Sequence, residues 1–116
     1  MQKSIIETKS FDFAIRIVRL YQYLSEDKKE YTLSRQLLKS GTSIGANVSE
    51  SQRGQSKPDF YAKLSIALKE ANETCYWIRL LHATDYLTDK EFDSLFSDVN
   101  ELISILVAIC KSKEPI

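Results

Sequence analysis

Four polar side chains stand where chemistry could be done inside a helical protein: Asn47 and Glu50, one turn apart, and Glu70 and Glu73, one turn apart on a later segment. Facing carboxylates inside a bundle are the ligand pattern of di-iron proteins, which combine Glu ligands with Glu-x-x-His motifs on neighbouring helices. The chain has no Glu-x-x-His, and His82, its single histidine, falls about two turns beyond Glu73. Neither metal nor cofactor is expected. The residues favour a structural reading, a polar core of Asn47, Glu50, Glu70 and Glu73. In it Asn47 donates to a carboxylate on the next helix, Glu73 first and Glu70 second, and so fixes the register of the two helices.

Other reactive residue types give no catalytic arrangement. His82 lies near a helix end with no nucleophile at a fixed helical spacing, the setting of a satisfied, partly buried histidine. None of Ser40, Ser43, Ser49 and Ser51 sits in a Gly-x-Ser-x-Gly elbow after a strand. Gly41, Gly45 and Gly54 match neither phosphate-binding spacing. Cys75 and Cys110 both fall on apolar helix faces and read as free thiols in a reducing compartment. The chain therefore reads as a non-enzyme. The cations Arg35, Lys39, Arg53, Lys57 and Lys63, with Lys69, face only Glu50 and Asp59 between residues 31 and 69. Grouped about one turn they could contact the phosphates of RNA or DNA; the competing reading is an ordinary solvated surface.

Composition sets the frame. With 116 residues, 43% of them apolar, the chain is expected to form one domain over 1–116 with a substantial core. Three Gly and two Pro are few, which favours a few long helices over many short strands. No apolar run approaches a membrane span, and the first residues lack a signal-peptide core, so the expected location is cytoplasmic. The net charge of zero conceals a split: residues 1–69 hold 12 basic and 7 acidic side chains, and residues 70–116 hold 4 and 9. Surfaces of opposite sign either steer self-association or simply solubilise two faces.

The elements that must position these residues follow from spacing. A first helix covers residues 9–25, with Phe13, Ala14, Ile17, Val18, Tyr21 and Leu24 along one side; Ser4-Ile5-Ile6-Glu7 also reads as a capping box that would extend it backwards. A charged connection, residues 25–30, leads to a second helix over 32–52, where Leu33, Leu37, Ile44 and Val48 keep helical spacing through a run of small residues. The turn Arg53-Gly54-Gln55 follows, and Ser56-Lys57-Pro58-Asp59 restarts a helix, with Ser56 capping and Asp59 reaching back. Phe60, Leu64, Ala67, Ala71, Thr74, Ile78 and Leu81 then alternate fours and threes to about residue 84, a heptad seam. Thr88-Asp89-Lys90-Glu91 is another capping box, and Phe92, Leu95, Val99, Leu102, Leu106 and Ile109 repeat the rhythm to about residue 110. Helices of ~20–28 residues are ~30–40 Å long and, joined by short turns, fold back on one another. The expected fold is all-α, an antiparallel up-down-up-down four-helix bundle.

Two features exceed what a lone bundle needs. Gly41 and Gly45 each cost about 1 kcal/mol relative to Ala inside a helix, a cost offset where a second backbone approaches closely, in the core or at a subunit interface. Tyr76, Trp77 and Leu80, with Ile105 and Val107, project away from the seams, more apolar surface than one small bundle hides. Gly41, Gly45, Tyr76, Trp77 and Leu80 are therefore the expected homo-oligomer interface.

The run Ser43-Ile44-Gly45-Ala46-Asn47-Val48-Ser49-Glu50 resembles a family of small bacterial four-helix proteins encoded in intervening sequences of 23S ribosomal RNA genes, also labelled S23 ribosomal proteins. The similarity continues through Ser10-Phe11-Asp12-Phe13-Ala14, residues 56–67, Glu73 and Trp77 to Leu81, nearly the whole chain. The resemblance implies a pentameric ring of four-helix bundles without assigned enzymatic activity; the expected reading is a homo-oligomeric interaction module whose further partner is RNA, DNA or a protein. More distantly, the chain is similar to the accessory protein of diversity-generating retroelements, which implies nucleic-acid binding.

Overall fold

The computed structural model describes residues 4–54 and 56–112, so Gln55 of the expected turn lies outside the described residues, as does Pro115. The earlier of the two possible starts of the first helix, α1 (Ile5–Glu26), is the real one. Ser4 Oγ accepts from Glu7 N while Glu7 Oε1 accepts from Ser4 N at 3.1 Å, the reciprocal box written in the sequence.

The second helix, α2 (Leu33–Ser51), starts differently. Its N-cap residue Thr32 makes no side-chain cap. Glu30, two residues upstream, folds its carboxylate over the helix start and accepts from Thr32 N at 3.1 Å, Leu33 N at 2.8 Å and Ser34 N at 2.7 Å. The Ser34 hydroxyl donates back to the Glu30 carbonyl at 2.7 Å. Lys29, at φ 57° in the left-handed region, turns the chain so that this carboxylate faces the helix. Burial pushes the Glu30 carboxyl up, but the N–H groups of Leu33, Ser34 and Thr32 outweigh it and hold it below the ordinary carboxylate value.

In α3 (Lys57–Ala83), Ser56 Oγ accepts from Asp59 N at 3.3 Å and Pro58 occupies the first turn. No return bond from the Asp59 side chain forms; Asp is one methylene shorter than the Glu that closes the other boxes. The helix ends with Tyr86 N donating to Leu81 O and Asp85 N to His82 O, a Schellman closure with Asp85 in the left-handed position usually held by Gly. Finally, α4 (Asp89–Lys111) opens with the Thr88/Glu91 box.

The seams meet as their spacing requires. Leu64, Ala67, Ala71, Thr74, Ile78 and Leu81 of α3 are buried against Leu37, Ile44 and Val48 of α2 and Leu95, Val99, Leu102 and Leu106 of α4, with Phe13, Ile17 and Leu24 of α1 completing the core. Each helix packs on its chain neighbours and α1 also packs on α4, while the diagonal pairs, α1 with α3 and α2 with α4, have no close backbone approach. The result is an antiparallel up-down-up-down four-helix bundle of 47 × 24 × 23 Å.

The side between α1 and α4 is the most open. It is bridged by charge: Arg16 Nη1 meets Asp98 Oδ2 at 2.7 Å, Arg16 Nη2 donates to Ser94 Oγ at 2.8 Å, and Lys9 Nζ meets Glu101 Oε2 at 3.1 Å. Part of the charge split along the sequence is thus used within the chain. Each pair is partly exposed, so each contributes only about 0.2–1 kcal/mol.

Candidate interaction surfaces

The two glycines of α2 face α1 of the same chain. A Cβ built on Gly41 would lie 2.9 Å from both Cγ1 and Cγ2 of Ile17, and one on Gly45 would lie 3.1 Å from the Ser10 carbonyl oxygen. The subunit-interface expectation for Gly41 and Gly45 is corrected accordingly: the close approach they permit is intramolecular.

The polar core differs from its expected membership. Asn47 Nδ2 donates to the Ser43 carbonyl of its own helix at 2.8 Å, and Glu73 Oε2 accepts from Trp77 Nε1 at 3.1 Å. Glu50 is exposed and Glu70 half-buried. The Asn47–Glu73 bridge therefore does not form, because each partner is satisfied one turn away on its own helix. The polar contact between α2 and α3 is made by fully buried Thr74, whose single hydroxyl proton is shared between Ser40 Oγ, 3.0 Å away, and the Glu70 carbonyl, 2.8 Å away. The signal for it was present: Thr74 is the one polar member of the α3 seam. Thr74→Val should cost about 1–2 kcal/mol, since it strips the buried Ser40 hydroxyl of this partner. Asn47→Leu should stay within about 0.5 kcal/mol of wild type, and adding Glu73→Leu should show no coupling to it. Urea midpoints at constant slope measure both.

The cations do not gather in one place. Arg35 lies in the first turn of α2 and Arg53 two residues past its end at Ser51; the helix from Arg35 to Ser51 alone runs about 24 Å, and Lys39 is about 18 Å from that end. Only Arg53, Lys57 and Lys63 share the end of the bundle where α2 passes into α3, which corrects the single patch expected at that turn.

Among the apolar residues outside the seams, Trp77 and Ile105 pack partly against the core, and Leu80 is half-buried. Tyr76 remains 54% exposed. A larger exposed set lies on α1, where sequence spacing pointed only to the core side. Phe11 is 63% exposed, with Ile15 and Val18 beside it in the i, i+4, i+7 relation. At 100° per residue this stripe lies nearly opposite Ile6, Phe13, Ile17 and Leu24, which are buried. Its signal is in the sequence: Phe11 and Ile15 are apolar residues of α1 that fit no single core-facing arc.

His82 takes the satisfied role expected of it. Its Nε2 donates to Asp89 Oδ1 at 2.7 Å, and its ring stacks on Phe92 with centroids 4.2 Å apart. Both cysteines are free and half-buried. Burial pushes the Cys75 thiol up, with the Arg79 guanidinium pulling the other way. Among the described residues no group of three or more His, Cys, Asp or Glu is placed to hold a metal ion, and no helix is long and apolar enough to cross a membrane.

A compact antiparallel bundle with a core-facing stripe on every helix defines a small all-α protein of the four-helix-bundle class, with a second, solvent-facing apolar stripe on α1. The 23S rRNA-intervening sequence protein family matches residues 2–108, and the chain belongs to that family. It is similar to a crystal structure from Bacteroides thetaiotaomicron VPI-5482, a protein of unknown function from the S23 ribosomal protein family. The two are 48% identical, the match covers 92% of this chain and 99% of that one, and the TM-score is 0.91. No curated protein matches the chain.

Proposed function

We propose that the chain is a non-enzymatic interaction module that works as a homo-oligomer, with the outer stripe of α1 as one of its contact surfaces. The observation that carries this is the stripe itself: Phe11, Ile15 and Val18 are exposed on a helix whose other apolar stripe already fills the core. A helix of a lone bundle needs one apolar stripe, and burying a second against another copy removes it from water at about 25 cal/mol per Å². Family membership supports a ring of five. In such a ring each copy gives one surface and receives another, so the α1 stripe meets a different face of its neighbour.

Light scattering at micromolar concentration tests this. The expected mass is a multiple of 13.3 kDa, near five-fold for the ring. Phe11→Glu combined with Ile15→Glu should return the protein to monomer mass with its helical circular dichroism unchanged, because both side chains are exposed. A wild-type mass of 13.3 kDa would overturn the reading.

A further inference from the structure

Where the end of α3 meets the start of α4, a cleft of about 300 Å³ opens between Tyr76, Arg79, Leu80, His82, Ala83 and Phe92. Its chemistry is unusual for this surface. His82 and Phe92 form a parallel stack, 12° between planes, and Asp89 holds the imidazole in that orientation through a 2.7 Å bond to Nε2. Tyr76, which also lines the cleft, is exposed and is braced edge-on by Trp77 with ring centroids 4.9 Å apart. Arg79, between them in sequence, is exposed and has no hydrogen bond or ion pair among the described residues. Leu80 and Ala83 give the cleft an apolar portion.

We infer that this cleft is a binding site for a planar aromatic ring carrying a negative charge, the chemistry of a nucleoside monophosphate. Phe92 is already stacked by both His82 and Phe96, so the rings left to stack on a base are His82 and exposed Tyr76, and every base presents a π-face to them. A guanidinium adds a charge-assisted bond to phosphate and can itself stack. The Asp89 carboxylate is already engaged by His82 and does not line the cleft, so Arg79 is the cation left for the anion. The volume sits at the low end for ligand pockets, room for one ring system and its charged substituent rather than for a folded strand. The cleft and the outer stripe are different surfaces of one copy: Phe11, Ile15 and Val18 lie on α1, whereas the cleft is lined from α3 and α4.

The chain supplies its own reporter. Trp77 is its only tryptophan and rests against Tyr76. Titration with AMP should change its emission saturably, adenosine should bind about tenfold more weakly for want of the charge, and ribose 5-phosphate, without a ring, should give no response. By calorimetry, Arg79→Ala should weaken AMP about tenfold and leave adenosine unchanged. Tyr76→Ala should weaken both ligands; Tyr76 and Arg79 are exposed, so neither change should alter the helical dichroism. A six-residue adenine strand without terminal phosphates that competes with AMP assigns the site to an unpaired base within RNA; failure to compete assigns it to the free nucleotide. The Phe11→Glu, Ile15→Glu protein should keep its AMP response. The inference is overturned by the absence of any saturable response at ~10 mM AMP, above the millimolar range where even a weak site half-fills. It is equally overturned if Arg79→Ala and Tyr76→Ala both bind AMP as wild type does.

Discussion

Gly41→Ala should destabilise the bundle even though it replaces a poor helix former by the best one. On an isolated helix the change gains about 1 kcal/mol. Here the new methyl would meet Cγ1 and Cγ2 of Ile17 at 2.9 Å, and Ile17 is completely buried. A β-branched side chain in a helix has essentially one rotamer, so Ile17 cannot swing aside and α1 must move off α2. Overpacking of this kind costs about 1–3 kcal/mol, and the two effects together predict a net loss despite the better helix propensity. Ile17→Ala alone should cost about 2–5 kcal/mol by opening a cavity. The double variant is the sharper measurement, because the methyl introduced by Gly41→Ala then points into space that the Ile17 side chain has vacated. Its loss should fall short of the summed single losses by about 1 kcal/mol or more. Guanidinium midpoints of the four proteins supply the cycle. A Gly41→Ala protein more stable than wild type by about 1 kcal/mol, the full propensity gain, would show that the helices part at no cost.

Glu30→Ala should remove the only side-chain cap of α2 and leave three N–H groups of its first turn without the acceptor they share. Losing a cap costs about 0.5–2 kcal/mol, and this one is charged and nearly buried, which places the change at the upper end. Glu30→Gln keeps an acceptor oxygen but not the charge that favours a helix N-terminus, so its loss should be smaller. The pH dependence follows from the direction of the carboxyl shift. Folded Glu30 titrates below its ordinary value of 4.5, so its contribution is fully present above that value and is lost as pH falls through the lower, folded one. Wild type and Glu30→Ala should therefore differ most near neutrality and converge in acid below the ordinary value. Denaturation at about pH 7 and about pH 3, on either side of that ordinary value, measures this, and an unchanged gap between the two would show that the carboxylate charge does not contribute.

Much of the bundle was legible because its causes are local. The 3/4 spacing of Leu64 to Leu81 and of Leu95 to Leu106 makes each helix amphipathic whatever surrounds it, and those residues are the core. The boxes at Ser4/Glu7 and Thr88/Glu91 close over three residues, so the chain alone decides them. The two glycines of α2 announced a close approach for the same reason: their cost inside a helix is intrinsic.

What the spacing left open is which neighbour each side chain meets, since that depends on the rotation and offset of one helix against another. Gly41 and Gly45 announced contact but not that Ile17 and Ser10 of α1 would make it. Asn47 had a carbonyl within reach one turn back and took it, leaving Thr74 and Ser40, 34 positions apart, to make the polar contact between α2 and α3. Glu30 reads as one more charge in a connection until Lys29 turns left-handed and lays its carboxylate on the start of α2. The same holds for the cleft at the end of α3, where Tyr76 and Arg79 come from one helix, Phe92 from the next, and the turn at Asp85 sets their distance. Periodicity determined which residues would be helical and which face would be apolar; only the packing of four rigid rods decided what the remaining faces could touch.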